Sequence, residues 1–108
     1  MVIGWIEGQK TDSCERMILS FGDKDTEELW ITERSTRYGN VARIALRKLL
    51  QVQAAEKVSD LAIPPGNRLE ALSGKRRGQH SIRINNQWRI CFIWTDKGAE
   101  KVTICDYH

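Results

Sequence analysis

The chain has 108 residues, with 17 basic and 14 acidic side chains and a formal net charge of +3. This length suits one domain with a buried core and leaves no room for separate catalytic and regulatory domains. No apolar run approaches the roughly 20 residues that cross a bilayer, and the spacing of Cys14, Cys91 and Cys105 fits neither a zinc site nor a redox pair. These features exclude a membrane span and favour a reduced, cytoplasmic protein.

The first half of the sequence predicts one strand and two helices. Residues 1 to 16 show no sustained period and are interpreted as an N-terminal extension, so that the domain covers residues 17 to 108. Met17 to Phe21 is predicted as a strand, and Asp23 or Asp25 is predicted to cap a first helix. A second helix is predicted after Asn40, a good N-cap, because apolar residues recur at helical spacing at Val41, Ile44, Ala45, Leu49 and Val52.

The second half predicts a β-meander. Pro64-Pro65-Gly66 ends the helical part, and four β-rich segments follow at residues 69–72, 79–84, 88–94 and 101–105. Asn85-Asn86 and Lys97-Gly98 are typical of tight turns between them. Helices followed by antiparallel strands indicate an α+β fold, with two N-terminal helices packed on a curved, mainly antiparallel sheet.

Side-chain alternation assigns the two faces of this sheet, since residues i and i+2 share a side. The predicted core face carries Ile82, Ile84, Ile90, Phe92 and Trp94. The opposite face carries Ser81, Arg83, Arg89 and Cys91. Two arginines on the middle strands, on the face away from the helices, form a candidate anion site.

Charge and proton-handling groups concentrate near this face. Residues 68 to 89 contain six basic side chains against the single acid Glu70: Arg68, Lys75, Arg76, Arg77, Arg83 and Arg89. The chain ends in Asp106-Tyr107-His108, a carboxylate, a phenol and an imidazole after a β-rich run that can anchor them. A proton-exchanging cluster beside a cationic surface suggests chemistry on a phosphate backbone.

The sequence resembles a known family in several of its segments. The resemblance covers residues 17 to 108 and rests on Pro64 to Leu72, Gly74, Gly78-Gln79, Ser81 to Asn85, Gln87 to Phe92 and Asp106 to His108. It is to the HigB-like plasmid-maintenance killer proteins of the RelE toxin superfamily. The resemblance implies a RelE-like fold and a type II toxin that enters the ribosomal A site and cuts mRNA there without a metal ion or other cofactor. It also implies a HigA-like helix-turn-helix antitoxin as partner, which together with the toxin represses their own operon by binding operator DNA.

Cutting RNA without metal needs a base, an acid and cations for the charge that builds on phosphorus. His108 is the candidate proton-transfer group, because an unperturbed imidazole has a pKa of about 6.5. Arg89 is the first choice for stabilising the transition-state phosphate, assisted by Arg68 and Arg83. Asp106 can orient a neighbouring base or arginine, and Tyr107 can stack on a nucleobase or contact the phosphate.

The basic stretch Lys75-Arg76-Arg77 is expected to meet ribosomal or messenger phosphates without reading sequence. A flanked basic turn is also typical of a plain solvated loop. Arg68 and Arg83 would equally suit structural ion pairs with Glu70 or Asp106. By the same alternation, His80 falls on the core side and is interpreted as a packing or edge residue.

Two positions depart from the family pattern. Ser73 stands where a lysine is common, and Glu70 where some members carry histidine or another basic residue. Two further hypotheses therefore remain beside the endonuclease. One is a non-catalytic module that blocks translation by occupying RNA or the ribosome, and the other is an inactive toxin retained for antitoxin binding and operon repression.

Overall fold

A computed structural model of the chain describes residues 17–35 and 37–106. The described elements are β1 (Met17–Ile18), α1 (Lys24–Thr32), α2 (Val41–Ala54), β2 (Glu70–Ala71), β3 (His80–Arg83), β4 (Trp88–Thr95) and β5 (Gly98–Asp106). Short 3-10 turns lie between α2 and β3, at Val58–Ala62, Pro65–Asn67 and Gly74–Arg76. The strands form one sheet in the order β1-β5-β4-β3-β2. The predicted α+β class is confirmed, and the N-terminal extension lies outside the described residues.

The two helices begin in different ways. Asp23 caps α1 as predicted, because its Oδ1 accepts a hydrogen bond of 3.0 Å from the backbone N–H of Thr26. Asn40 is the N-cap position of α2, as predicted, but its side chain does not cap the helix. Asn40 already has helical backbone angles, φ −64° and ψ −20°, and its side chain makes no capping hydrogen bond. A capping residue needs an extended backbone for its side chain to reach back to the first turn.

The core lies between the helices and one face of the sheet. Leu29 of α1 and Leu49 of α2 are fully buried, as are Ile82, Ile90 and Phe92 from β3 and β4. The backbone N–H of Ile104 on β5 also donates to the buried hydroxyl of Thr26 on α1 at 3.0 Å. The core face predicted from alternation is therefore confirmed for the middle strands. Neither helix in the described part of the chain is long and apolar enough to cross a membrane.

The sheet is not a pure meander, because β1 runs parallel to β5. The predicted first strand, from Met17 to Phe21, is also shorter than expected and covers only Met17–Ile18. Phe21 then makes an isolated bridge to Val102. Lys101 has a positive φ of 53°, which interrupts the regular ladder on β5 at this point. The edge strand therefore pairs with β5 in two short pieces instead of one.

The hairpin between β3 and β4 forms where Asn85-Asn86 predicted it. The Oδ1 of Asn85 accepts hydrogen bonds of 2.8 Å from the backbone N–H groups of both Gln87 and Trp88. The loop is therefore held by its own side chain, as is typical of asparagine in turns. It fixes where β4 begins and brings Asn86 next to the last residue of β3, Arg83, whose Nη2 hydrogen-bonds Asn86 Oδ1.

Candidate anion site on the sheet

Arg83 and Arg89 lie directly opposite each other on β3 and β4. Their neighbours Ile82 and Ile90 pair in the same register and are fully buried in the core. Because side chains alternate along a strand, the two arginines are on the face away from the helices, as predicted. Like charges directly opposite each other destabilise a sheet, so a negative charge close to this pair is stabilising.

Arg89 is held by three residues and is almost completely buried, with 6% of its surface exposed. Its Nε donates to the hydroxyl of Ser81 at 2.7 Å. Its Nη2 donates to the carbonyl oxygen of Arg68 at 2.7 Å and lies 3.5 Å from Oε1 of Glu70. The counter-ion of Glu70 is therefore Arg89, whereas the sequence had suggested Arg68 or Arg83. This network fixes the position of the guanidinium before any substrate arrives.

Asn67 holds the turn that carries Arg68. It is fully buried, and its Nδ2 donates to Oε1 of Gln51 at 2.9 Å and to the carbonyl of Leu61 at 3.1 Å. Its Oδ1 accepts from the ammonium of Lys48 on α2. Arg68 follows in the left-handed conformation, with φ 47°, which costs a non-glycine residue about 1 kcal/mol. The buried amide supplies the bonds that keep this turn in place.

The turn at Arg68 and the hairpin of β3 and β4 border an open cleft of about 360 Å³. Its lining residues are Arg68, Arg83, Asn85, Asn86 and Arg89. Arg68 is exposed and Arg83 is half-buried, whereas Arg89 forms the buried base of the cleft. Guanidinium forks and amide N–H groups together suit a phosphate, which accepts several hydrogen bonds at once. The structure thus brings together all three arginines that the sequence selected around β3 and β4.

The arginine face is partly covered by other segments of the chain. Ser81 and Cys91, the other two residues on this face, are buried to the same degree as the core. The carbonyl of Arg68 accepts a hydrogen bond from the guanidinium of Arg89, and the carboxylate of Glu70 lies 3.5 Å from the same group. The segment between the prolines and β3 therefore folds over part of the sheet. Strand alternation predicts which face of the sheet a side chain occupies, but it does not predict whether a loop covers that face.

Asp106 occupies a different position from the arginines. It pairs with Trp88, and alternation places it on the same side of β5 as the buried Ile104. Its Oδ2 accepts a hydrogen bond of 3.2 Å from Nε2 of Gln87 in the hairpin loop. The residue of β5 that faces Arg89 is Cys105. Tyr107 and His108, the other two residues of the predicted terminal cluster, lie outside the described residues.

The basic stretch forms an exposed turn. Lys75, Arg76 and Arg77 are all exposed, at and just after the 3-10 turn Gly74–Arg76, and Ser73 precedes this turn. Arg76 also hydrogen-bonds Oε1 of Gln79 at 3.3 Å. The turn connects β2 to β3, the strand that carries Arg83, so its charge adds to the positive potential at this end of the sheet.

Sequence reasoning missed the contribution of Asn85 and Asn86 to this site. Both were interpreted only as turn formers, yet both line the cleft. A polar hairpin directly between two strands that each carry an outward arginine is a signal that could have identified them. Ser81 and Glu70 hold Arg89 in place through contacts between strands. No pattern in the neighbouring sequence indicates these contacts.

His80 lies on the core face, as interpreted from the sequence. Its ring stacks on Phe92, with centroids 6.2 Å apart, and its Nδ1 is buried without a hydrogen-bond partner among the described residues. We predict that His80→Ala retains, to within about twofold, the RNA cleavage and toxicity that the sequence resemblance implies, and costs about 1 kcal/mol of stability through the lost ring contact. Growth assays and urea unfolding test this. Complete loss of cleavage by a folded His80→Ala protein would contradict the packing role.

Comparison with known proteins assigns the family. The model of the family described as RelE-like toxin of type II toxin-antitoxin system HigB matches residues 16–108. The chain belongs to the HigB-like toxins. It is 40% identical over 94 residues to Toxin HigB-1 of Vibrio cholerae serotype O1, a match that covers 85% of this chain and 98% of that toxin. The resemblance identified from the sequence is confirmed.

Other relatives agree with this assignment. The HigB-like chain is 40% identical over 53 residues to an uncharacterized protein of Haemophilus influenzae, covering 49% of this chain and 52% of that protein. Among solved structures, YafQ of E. coli BL21(DE3) and its H87Q mutant each superpose with a TM-score of 0.52 and cover 85% of this chain and 93% of theirs. Their identities of 16% and 17% support the shared RelE-like fold alone.

Proposed function

We propose that this type II toxin is a ribosome-dependent, metal-independent mRNA endonuclease that cuts in the ribosomal A site and thereby stops translation and growth. Members of its family generally act as ribonucleases. The arginine cleft supports the proposal, because Arg68, Arg83 and Arg89 converge on one volume that suits a phosphate. The observation that most strongly supports the proposal is that Arg83 and Arg89 lie directly opposite each other on β3 and β4.

The reaction assigned to this site begins with removal of the 2′-hydroxyl proton of RNA. The oxygen attacks the adjacent phosphorus and the P–O5′ bond breaks; protonation of the leaving 5′-oxygen releases the downstream fragment of the mRNA, giving a 2′,3′-cyclic phosphate and a 5′-hydroxyl. In this scheme His108 exchanges the protons. Arg89 stabilises the charge on phosphorus from a fixed position, and Arg68 and Arg83 hold the backbone on either side.

The position of β5 supports the assignment of His108. Cys105 faces Arg89, and β5 ends one residue later at Asp106. β5 therefore carries the chain past the arginine face as far as Asp106, the last residue that the structure describes. Tyr107 is assigned to stacking on a nucleobase or contacting the phosphate, and Asp106 to orienting its neighbours from the hairpin side, where it bonds Gln87.

The exposed turn with Lys75, Arg76 and Arg77 is assigned to sequence-independent contacts with ribosomal and messenger phosphates. The toxin family implies an antitoxin partner. We assign this partner to the small HigA-like helix-turn-helix proteins, which would carry the complex to operator DNA, and we place the toxin in the cytoplasm, where ribosomes are.

Mapping mRNA 5′ ends in cells that express the wild type, His108→Ala or Arg83→Ala tests the proposal. Codon-phased cuts are expected in the wild type, with loss in His108→Ala and a reduction of about tenfold or more in Arg83→Ala. Arg47→Ala is the matched control, because Arg47 is an exposed arginine on α2, and it should cut normally.

Two other outcomes identify the alternatives. Growth arrest without new 5′ ends would favour a toxin that blocks translation by occupancy. Absence of both, with antitoxin binding retained, would favour a toxin kept for operon repression. These outcomes matter because Ser73 and Glu70 stand where family members commonly carry basic residues. Glu70 places a negative charge 3.5 Å from Arg89.

A further inference from the structure

Glu70 is an acidic side chain beside the arginine cleft to which the reaction scheme above assigns no step. It lies on β2, where it pairs with Ser81 of β3. Residues directly opposite each other in a sheet share a face, and Ser81 shares its face with Arg83 because the two are two positions apart. The Glu70 side chain therefore lies on the arginine face, in the row of residues next to the pair formed by Arg83 and Arg89.

The guanidinium of Arg89 reaches across Ser81 to the carboxylate of Glu70. Its Nε donates to the Ser81 hydroxyl at 2.7 Å, and its Nη2 lies 3.5 Å from Oε1 of Glu70. The two charged partners differ strongly in exposure, since the Arg89 side chain is 7% exposed and the Glu70 side chain 48%. The contact therefore joins the buried base of the cleft to a carboxylate that a bound RNA can reach.

A purely stabilising role does not account well for this arrangement. An ion pair whose carboxylate is half exposed contributes little to stability, because water screens the charge. Arg89 also has neutral partners in the hydroxyl of Ser81 and the carbonyl of Arg68. A carboxylate that is held by a guanidinium and remains accessible to solvent is suited to accept a proton from a bound hydroxyl group.

The position of Glu70 also suits the geometry of RNA cleavage. In a displacement at phosphorus, the attacking and the leaving oxygen lie roughly in line, on opposite sides of the phosphorus. Glu70 lies on the side of the arginine pair that is away from the β3–β4 hairpin. Strand β5 ends at Asp106, which pairs with Trp88 on the hairpin side. A phosphate bound to the arginine pair therefore has the carboxylate on one side and the end of β5 on the other.

We propose that Glu70 is the general base of the cleavage reaction and His108 the general acid, an assignment that rests on the proposed nuclease function. The Glu70 carboxylate takes the proton of the 2′-hydroxyl, and the 2′-oxygen forms a bond to phosphorus. The P–O5′ bond breaks while the imidazolium of His108 gives its proton to the 5′-oxygen. Glu70 then releases its proton to water and His108 regains one, so no further reactant is consumed.

Glu70→Gln tests the role of the base, because the amide keeps the shape of the side chain and an oxygen that accepts a hydrogen bond from Arg89. We expect single-turnover cleavage of ribosome-bound mRNA to fall by about 100-fold or more, with a urea unfolding midpoint close to that of the wild type. A residue that only positions Arg89 would tolerate this change. Glu28→Gln is the matched control, because Glu28 is an exposed glutamate on α1, and it should cleave normally.

An mRNA with sulfur in place of the 5′-oxygen at the cleaved linkage separates the base from the acid. A thiolate leaves without being protonated, so this substrate needs the base but not the acid. We expect His108→Ala to cleave it within about tenfold of the wild-type rate, whereas Glu70→Gln stays about 100-fold slower than the wild type.

Three results would overturn the assignment, and they differ in what else they remove. Normal cleavage by Glu70→Gln beside an active wild type would exclude Glu70 as the base and leave the nuclease function intact. Recovery of Glu70→Gln on the sulfur substrate would assign it to the leaving group instead. No cleavage by the wild type would remove the nuclease function, and the role of Glu70 with it.

Discussion

Arg89→Ala is expected to lower RNA cleavage by about 100-fold or more and the free energy of unfolding by about 3 kcal/mol. The substitution removes a buried guanidinium that bonds the Ser81 hydroxyl and the Arg68 carbonyl. It also removes the cation 3.5 Å from the carboxylate of Glu70. Urea unfolding and a cleavage assay on translated mRNA measure the two effects separately.

A lysine at the same position distinguishes charge from geometry. Arg89→Lys keeps the positive charge but cannot bond Ser81 and Arg68 as a planar fork, so we expect stability between those of the wild type and Arg89→Ala, with cleavage still strongly reduced. Arg47→Ala again serves as the exposed control. Normal cleavage by a folded Arg89→Ala protein would remove Arg89 from the proposed reaction.

Asn67→Ala is expected to lower the free energy of unfolding by about 3 kcal/mol, because it leaves several polar groups unpaired in the interior. The carbonyl of Leu61 and the amide of Gln51 lose their donor. The ammonium of Lys48, whose pKa is already lowered by burial and by the nearby Arg47, loses its acceptor. Thermal and urea unfolding measure the change.

The same substitution is expected to weaken cleavage, although Asn67 does not line the cleft. Without its anchor, the turn at Pro65–Asn67 no longer holds Arg68 in its left-handed conformation, and the carbonyl that positions Arg89 shifts. Gln51→Ala is the matched control, because it removes one partner of Asn67 and leaves the others in place. Cleavage by Asn67→Ala equal to that of the control, at a temperature where both are folded, would restrict Asn67 to a stabilising role.

The sequence by itself determined the class of fold and the faces of the middle strands. The helical spacing from Val41 to Val52 and the alternation through Ile82, Ile90 and Phe92 depend on short-range periodicity, which a single chain displays directly. The same alternation placed Arg83 and Arg89 together and kept His80 on the core side. The family resemblance in the second half was equally a property of the sequence.

Only the tertiary structure decided which arginine is buried and what holds it. The partners of Arg89 include Arg68 and Glu70, which are 21 and 19 positions away along the chain, so no local pattern reveals them. Three other features also depend on contacts between distant parts of the chain. They are the burial of Ser81 and Cys91, the parallel pairing of β1 with β5, and the hydrogen bonds that the buried Asn67 makes. Periodicity fixes which side a residue faces, whereas burial and pairing are set by segments that meet only when the chain has folded.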